Sequence, residues 1–90
     1  MGKDGAGSVV TTFKVMPDGT DVDLDALEKR LQKRINPARM SRQPIAFGLE
    51  AILLVKQIPE KDGELEKVTN EILAVEGVRE AEIISATRSM

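Results

Sequence analysis

The sequence contains no cysteine, histidine, tryptophan or tyrosine, and its only aromatic residues are Phe13 and Phe47. Without cysteine or histidine the chain cannot form disulfides, thiolate or imidazole zinc sites, or use a thiol nucleophile or an imidazole base. No apolar run reaches the ~18 residues that a membrane-spanning helix needs, and residues 1–7 lack a signal-peptide core. We therefore expect a cytoplasmic protein that does not enter a membrane and needs no cofactor.

The composition indicates one small folded domain. The chain has 90 residues, of which 41% are hydrophobic and 31% charged, a balance typical of globular proteins. We expect residues 1–7 to form a flexible lead and residues 8–90 a single domain. The formal net charge of -2 argues against a broad nucleic-acid surface, which requires concentrated lysine and arginine, so we expect no direct contact with nucleic acid. The composition leaves the oligomeric state open.

The first half of the chain predicts a strand followed by a helix. Side chains alternate over Ser8–Met16, with Phe13 on the more apolar face, and Pro17 begins a turn. Leucines at helical spacing predict a helix over Asp21–Ile35, with acidic residues crowding its start and basic residues its end, as the helix dipole favours. Asn36-Pro37 ends this helix because a residue before proline is pushed out of the α region.

The second half predicts four further elements: an edge strand over Ala38–Arg42, a central strand over Leu49–Ile58, a helix over Gly63–Glu76 and a strand over Val78–Thr87. Pro44 fits an edge or a turn because proline cannot donate to a strand ladder. The resulting order, βαββαβ, predicts an α+β fold of the ferredoxin-like class. In that fold a four-stranded antiparallel sheet carries two helices on one face.

The sequence also makes two local predictions about the later elements. Gly77 is expected to take the left-handed conformation at the end of the second helix. In the last strand, strict alternation would place side chains on the two faces in the following sets: Ala81, Ile83 and Ser85 on one face, Ile84 and Ala86 on the other.

A cluster of aspartates suggests a metal site, but its spacing favours another explanation. A calcium loop that begins at Asp18 would need glycine at its sixth position and glutamate at its twelfth. Those positions hold Asp23 and Lys29. Capping of the first helix, with the carboxylates complementing its dipole, is the better interpretation, and we predict no metal ligand.

The usual activities of this fold class do not suit the sequence. Stacking of RNA bases would need aromatics on the open face of the central strands, but Phe13 lies on the face that the helices should cover. An acyl-phosphate hydrolase would need a basic phosphate loop after the first strand, and Pro17–Asp23 is acidic. No nucleophile and base can be paired, so we predict a protein-interaction module and not an enzyme. Phe47 is either its exposed anchor or a strand-end packing residue, and both interpretations stay open.

Several short segments together resemble the archaeal elongation factor 1-beta family, over nearly the whole chain from Ser8 to Met90. The most specific of them is Pro44-Ile45-Ala46-Phe47-Gly48-Leu49. The others are Val15-Met16-Pro17, Asp21-Val22-Asp23-Leu24, Val75-Glu76-Gly77-Val78 and Arg88-Ser89-Met90. The resemblance implies the ferredoxin-like fold and guanine-nucleotide exchange on elongation factor 1-alpha, the GTPase that delivers aminoacyl-tRNA to the ribosome.

The resemblance also implies which residues meet the partner. In the family an aromatic followed by glycine lies at the end of the domain that contacts the GTPase, and Phe47-Gly48 match it. A lysine next to the last residue reaches into the partner's magnesium site, but that position here is Ser89, preceded by Arg88 and followed by Met90. Arg88 could replace the lysine only if the strand does not turn its side chain to the opposite face. We expect these residues to share one docking edge.

A second function class remains to be separated from the first. Small regulatory domains with the same fold bind ligands such as amino acids, and this chain could be a ligand-sensing interaction module instead of an exchange factor. The composition does not separate the two. Release of labelled GDP from elongation factor 1-alpha does, because only an exchange factor would accelerate it.

Overall fold

The computed structural model describes residues 7–46 and 48–89. Six elements follow one another in the predicted order. They are β1 (Ser8–Pro17), α1 (Leu24–Ile35), β2 (Arg39–Ala46), β3 (Leu49–Pro59), α2 (Glu64–Leu73) and β4 (Val78–Ser89). Residues 1–6 of the expected N-terminal lead, together with Phe47 and Met90, lie outside the described residues.

The four strands form one sheet in the order β2-β3-β1-β4, and every neighbouring pair is antiparallel. Both helices pack on the same face of this sheet, so the predicted ferredoxin-like α+β fold is confirmed. β1 and β3 are the central strands, and β2 and β4 are the edges. The longest helix in the described part of the chain, α1 with 12 residues, is too short to cross a bilayer.

The core lies between the central strands and the helices. Phe13 and Leu54 face each other across β1 and β3, and both are fully buried. The buried cluster is completed by Val15, Ile52, Ile58, Leu27, Leu31, Ile35, Val68, Ile72 and Val75. Leu65 lies on α2 at helical spacing from the buried Val68 and Ile72, but it is itself 39% exposed. The prediction that Phe13 faces the helices is confirmed, and base stacking by its ring is thereby excluded.

Helix α1 begins three residues later than predicted because Asp23 caps it. The Asp23 carboxylate accepts hydrogen bonds from the backbone N–H groups of Asp25 and Ala26, at 3.0 and 3.3 Å. An aspartate in this position satisfies N–H groups that have no partner within the helix. At the other end Asn36 takes a left-handed conformation, with φ of 56°, and its N–H donates to the carbonyls of the last turn. The capping interpretation is confirmed for Asp23, and Asp25 lies in the first turn, where its carboxylate complements the helix dipole.

Helix α2 ends at Leu73, three residues before the predicted end at Glu76. Gly77 does adopt a positive φ, of 98°, but it lies in the turn into β4 and not at the helix terminus. Its carbonyl accepts a hydrogen bond of 2.8 Å from the N–H of Asp18. The prediction for Gly77 is therefore correct about its left-handed conformation and wrong about its position at the helix end. The glycine lies in the turn that brings β4 beside the end of β1.

Strand β4 contains an irregularity that the sequence pattern does not predict. Its pairing with β1 shifts between Thr12 and Phe13, so that Phe13 faces Ile83 and Thr12 faces Ser85. Ile84 is the extra residue of this bulge, and the alternation of faces reverses beyond it. Ser85 therefore lies on the open face of the sheet and Ala86 on the helix-covered face, the opposite of the prediction.

Candidate functional site

Gly48 lies in the turn between β2 and β3, at the end of the sheet that we call the hairpin end. Its φ of 80° is a conformation that side chains other than glycine rarely adopt, and no atom lies within 4 Å of the point where a Cβ would be. The glycine is thus required by the backbone turn and not by crowding. The neighbouring residues Ala46 and Ile45 are exposed, so the turn presents its surface to solvent. Phe47 itself falls outside the described residues.

Strand β2, which leads into the hairpin, is mostly exposed to solvent. β2 continues through Pro44, which pairs with Glu50, so its predicted end at Arg42 is too early. The register with β3 then shifts between Pro44 and Ala46. β2 is an edge strand whose residues are almost all exposed, as expected for a strand that accommodates proline. The hairpin therefore extends from an exposed edge strand.

Arg88 and Ser89 lie at the opposite end of the sheet, the terminal end. β4 keeps its pairing with β1 as far as Ser89, which faces Ser8, while Arg88 faces Val9. The Arg88 guanidinium Nη2 is 2.8 Å from Oε2 of Glu60, and the Arg88 side chain is 73% exposed. Arg88 therefore sits in a regular ladder beside an acidic partner, and not at a frayed end. Met90 lies outside the described residues.

The structure does not bring Gly48 and Arg88 together. β3 runs the length of the sheet between them, and the ten steps between its 11 residues, at about 3.3 Å each, span roughly 33 Å. Gly48 lies beside the first residue of β3, whereas Glu60, the partner of Arg88, follows its last residue. The expectation of one shared docking edge is therefore wrong: the candidate contacts form two separate surfaces, because β3 and β4 both run from the hairpin end to the terminal end.

Arg42 was not identified from the sequence as a residue of interest. It lies on β2 and reaches across to α1, where Nε and Nη2 donate to the two carboxylate oxygens of Glu28, each at 3.1 Å. Nη2 also forms a short ion pair with Asp25. The hydrogen bonds to Glu28 and then Asp25 raise the pKa of Arg42 above its ordinary, already high value. No pattern in the sequence could have paired residues 42, 28 and 25, because the contact depends on how α1 lies across the sheet.

The carboxylates at the start of α1 are already engaged in the fold. Asp23 caps the helix, and Asp25 and Glu28 bind Arg42. Within residues 7–46 and 48–89, no three acidic side chains converge in a way that could hold a metal ion. The hairpin end, at Ile45 and Ala46, and the terminal end, at Arg88, are both exposed to solvent.

Comparison with known proteins identifies the relatives of this chain. Residues 10–88 match the family described as the EF-1 guanine nucleotide exchange domain. Elongation factor 1-beta of Methanothermobacter thermautotrophicus is 38% identical over 88 residues, covering 93% of this chain and 99% of the relative. Elongation factor 1-beta of Methanoregula boonei is 38% identical over 90% of this chain and 96% of its own length, and that of Thermoplasma acidophilum 36% identical over 82% and 89%. The chain belongs to the EF-1 guanine nucleotide exchange domain family, among the archaeal elongation factors 1-beta.

Proposed function

We propose that the protein promotes GDP release from elongation factor 1-alpha and its reloading with GTP. The observation that carries this proposal is the family match over residues 10–88, which covers the complete sheet and both helices apart from the strand ends. The exchange would proceed through contact alone. A chain without cysteine or histidine, whose acidic residues at α1 are engaged in capping and ion pairing, fits a role that needs no covalent chemistry.

The separation of the two exposed ends defines how docking would work. A partner that touches both the hairpin with Phe47-Gly48 and the terminus with Arg88-Ser89-Met90 must span roughly 33 Å along β3. The GTPase would therefore contact the factor at two places at once. Two linked contacts reinforce each other because the second forms at high effective concentration once the first is made. In this arrangement the hairpin end supplies affinity and the terminal end reaches the nucleotide site.

At the terminal end, Arg88 is the cation nearest to the position of the family's lysine. In the free protein it is paired with Glu60. Exposed ion pairs of this kind are worth only about 0.2–1 kcal/mol, so a partner phosphate or carboxylate can draw Arg88 away. The ladder is regular as far as Ser89, so the Arg88 side chain lies on the face opposite to the next strand position, where the family's lysine stands. We propose that Arg88 leaves Glu60 on docking and disturbs the magnesium and phosphate contacts of the GTPase from that face, with Ser89 and Met90 completing the contact.

The energetic demand on such a contact is modest. A nucleotide bound with nanomolar affinity is held by about 12 kcal/mol, but accelerating its release about a thousandfold requires lowering the barrier by only ~4 kcal/mol. Weakening the coordination of one magnesium ion that bridges phosphates and protein can supply that amount. The coupling is reciprocal: the factor binds the empty GTPase best, and a newly bound nucleotide expels it.

The proposal is tested by measuring release of fluorescent GDP from purified archaeal elongation factor 1-alpha, with excess unlabelled GDP present. We expect the protein to accelerate release in a saturable manner. A variant with an exposed lysine replaced on helix α2, Lys67→Gln, serves as a folded control and should be as active as wild type. Release at the spontaneous rate at every concentration of factor would exclude exchange activity and leave the ligand-sensing alternative.

A further inference from the structure

The hairpin end depends on a strand that has few other supports. Met40 packs against the core, but the residues of β2 from Gln43 to Ala46 are all exposed. Among the described residues, no hydrogen bond or ion pair connects this stretch to a helix. Its ladder with β3 includes Pro44, which has no N–H to donate, and shifts register between Pro44 and Ala46. Among the described contacts this stretch is held by its ladder with β3, and the nearest side chain that ties β2 to a helix is Arg42, at the base of the hairpin.

Arg42 is placed to hold that base. It lies two residues before Pro44, and its side chain is the last of β2 that bonds to α1. The guanidinium forms a two-pronged pair with Glu28 and a further bond to Asp25, and 34% of the Arg42 side chain is exposed. A bidentate arginine–carboxylate pair fixes direction as well as distance, which a single lysine contact does not.

The other end of this connection is rigid. Asp25 lies in the first turn of α1, which Asp23 caps through the backbone N–H groups of Asp25 and Ala26. Two and six residues after Asp25 on the same helix, Leu27 and Leu31 are fully buried in the core. Arg42 therefore joins the hairpin to a helix terminus that cannot shift without disturbing the cap and the core.

We propose that Arg42 is a positioning residue for the exchange activity: by binding Glu28 and Asp25 it fixes the orientation of the hairpin that contacts the GTPase. This inference rests on the proposed function, because the hairpin is the surface whose orientation matters. Pre-orienting a binding loop raises affinity by reducing the ordering that must occur on association. Arg42 thus acts through the hairpin and has no contact of its own with nucleotide.

The experiment compares Arg42→Met and Arg42→Lys with the matched control Arg39→Met. Arg39 lies on the same strand and is exposed, but it is an odd number of residues away and faces the open side of the sheet. We expect Arg42→Met to raise the factor concentration that gives half-maximal GDP release about five- to tenfold, with the maximal rate unchanged. Arg42→Lys should lie between it and wild type, and Arg39→Met should match wild type.

A second measurement separates positioning from general stability. Amide hydrogen exchange should become faster at Ile45, Ala46 and Leu49 in Arg42→Met, with no change in β1 and the centre of β3. If amide hydrogen exchange in the hairpin becomes faster but the concentration for half-maximal GDP release does not change, Arg42 has a structural role only and the inference is overturned. The inference is also overturned if Arg39→Met has the same effects as Arg42→Met. If the wild-type protein does not accelerate GDP release from elongation factor 1-alpha, the proposed function fails. Separately, unchanged amide hydrogen exchange in the hairpin of Arg42→Met would show that Arg42 does not orient the hairpin.

Discussion

The two central strands and the two edge strands of this sheet have different tasks. β1 and β3 carry the fully buried side chains Phe13, Val15, Ile52 and Leu54, and their register is regular throughout. β2 and β4 are exposed, and each contains a register shift. Each edge is also tied to the rest of the domain by an arginine side chain: Arg42 pairs with Asp25 and Glu28, and Arg88 pairs with Glu60. The centre thus determines whether the domain folds, and the edges determine what it presents to a partner.

The largest effect should come from the centre. Phe13→Ala removes a fully buried ring facing Leu54 and Ile83, and we expect a loss of about 3–5 kcal/mol in the free energy of unfolding. That loss is a large part of the total for a domain of this size, so urea unfolding should show a strongly lowered midpoint. A change below about 1 kcal/mol would mean that the centre does not control stability as the comparison requires.

The second aromatic residue should behave in the opposite way. We expect Phe47→Ala to reduce exchange on elongation factor 1-alpha about thirtyfold, the loss of about 2 kcal/mol typical of an interface hot spot, while the urea midpoint stays within error. Labelled GDP release and urea unfolding are measured on the same preparation. Full exchange activity in a folded Phe47→Ala variant would remove Phe47 from the proposed contact.

At the other edge, deletion of residues 88–90 should reduce GDP release about tenfold, because it removes Arg88 and the terminus. The matched control is Glu60→Gln, which abolishes the ion pair with Arg88 but keeps the cation. We expect Glu60→Gln to accelerate GDP release at least as much as wild type, because Arg88 no longer has to break its ion pair with the Glu60 carboxylate. Undiminished release after the deletion would end the role assigned to the terminal end.

The smallest expected effect is a gain in stability at the centre. Thr11 is fully buried on β1, and its hydroxyl has no hydrogen-bond partner among the described residues. Thr11→Val replaces this hydroxyl by a methyl group of similar size, which should raise the free energy of unfolding by about 1 kcal/mol. Exchange activity should not change. A decrease in the urea midpoint would show that the Thr11 hydroxyl is satisfied in solution, for instance by water.

The sequence predicted the order and type of all six elements because periodicity of two or of 3.6 residues is a local property. The segment Asp21–Ile35 shows the limit of that reasoning: the aspartates indicated a capped helix start, but which aspartate is the cap depends on a backbone conformation that the pattern does not specify. For α2 the pattern ran on to Val75, which is buried although the helix ends at Leu73, so apolar spacing alone overestimated the helix.

The candidate site was less accessible from sequence. The segment around Gly48 could be selected by its motif, and its positive φ agrees with the need for glycine. Its distance from Arg88 could not be deduced from the motif, because that distance follows from the direction of β3 and β4 in the sheet. The role of Arg42 could not be predicted for a related reason. The sequence does not distinguish one arginine on a polar edge strand from another, because the position of α1 relative to β2 decides which of them meets Glu28 and Asp25.

The amino-acid sequence alone determined the class of fold, the burial of Phe13 beneath the helices and the family, since these are encoded in local periodicity and in short segments that occur in a fixed order. Only the tertiary structure decided that the bulge at Ile84 reverses the faces of β4, that Arg42 ties β2 to α1, and that the hairpin and the terminus lie at opposite ends. The physical reason is that strand register and ion pairing join residues far apart in the chain, and their geometry is set by the packing of whole elements and not by neighbours in sequence.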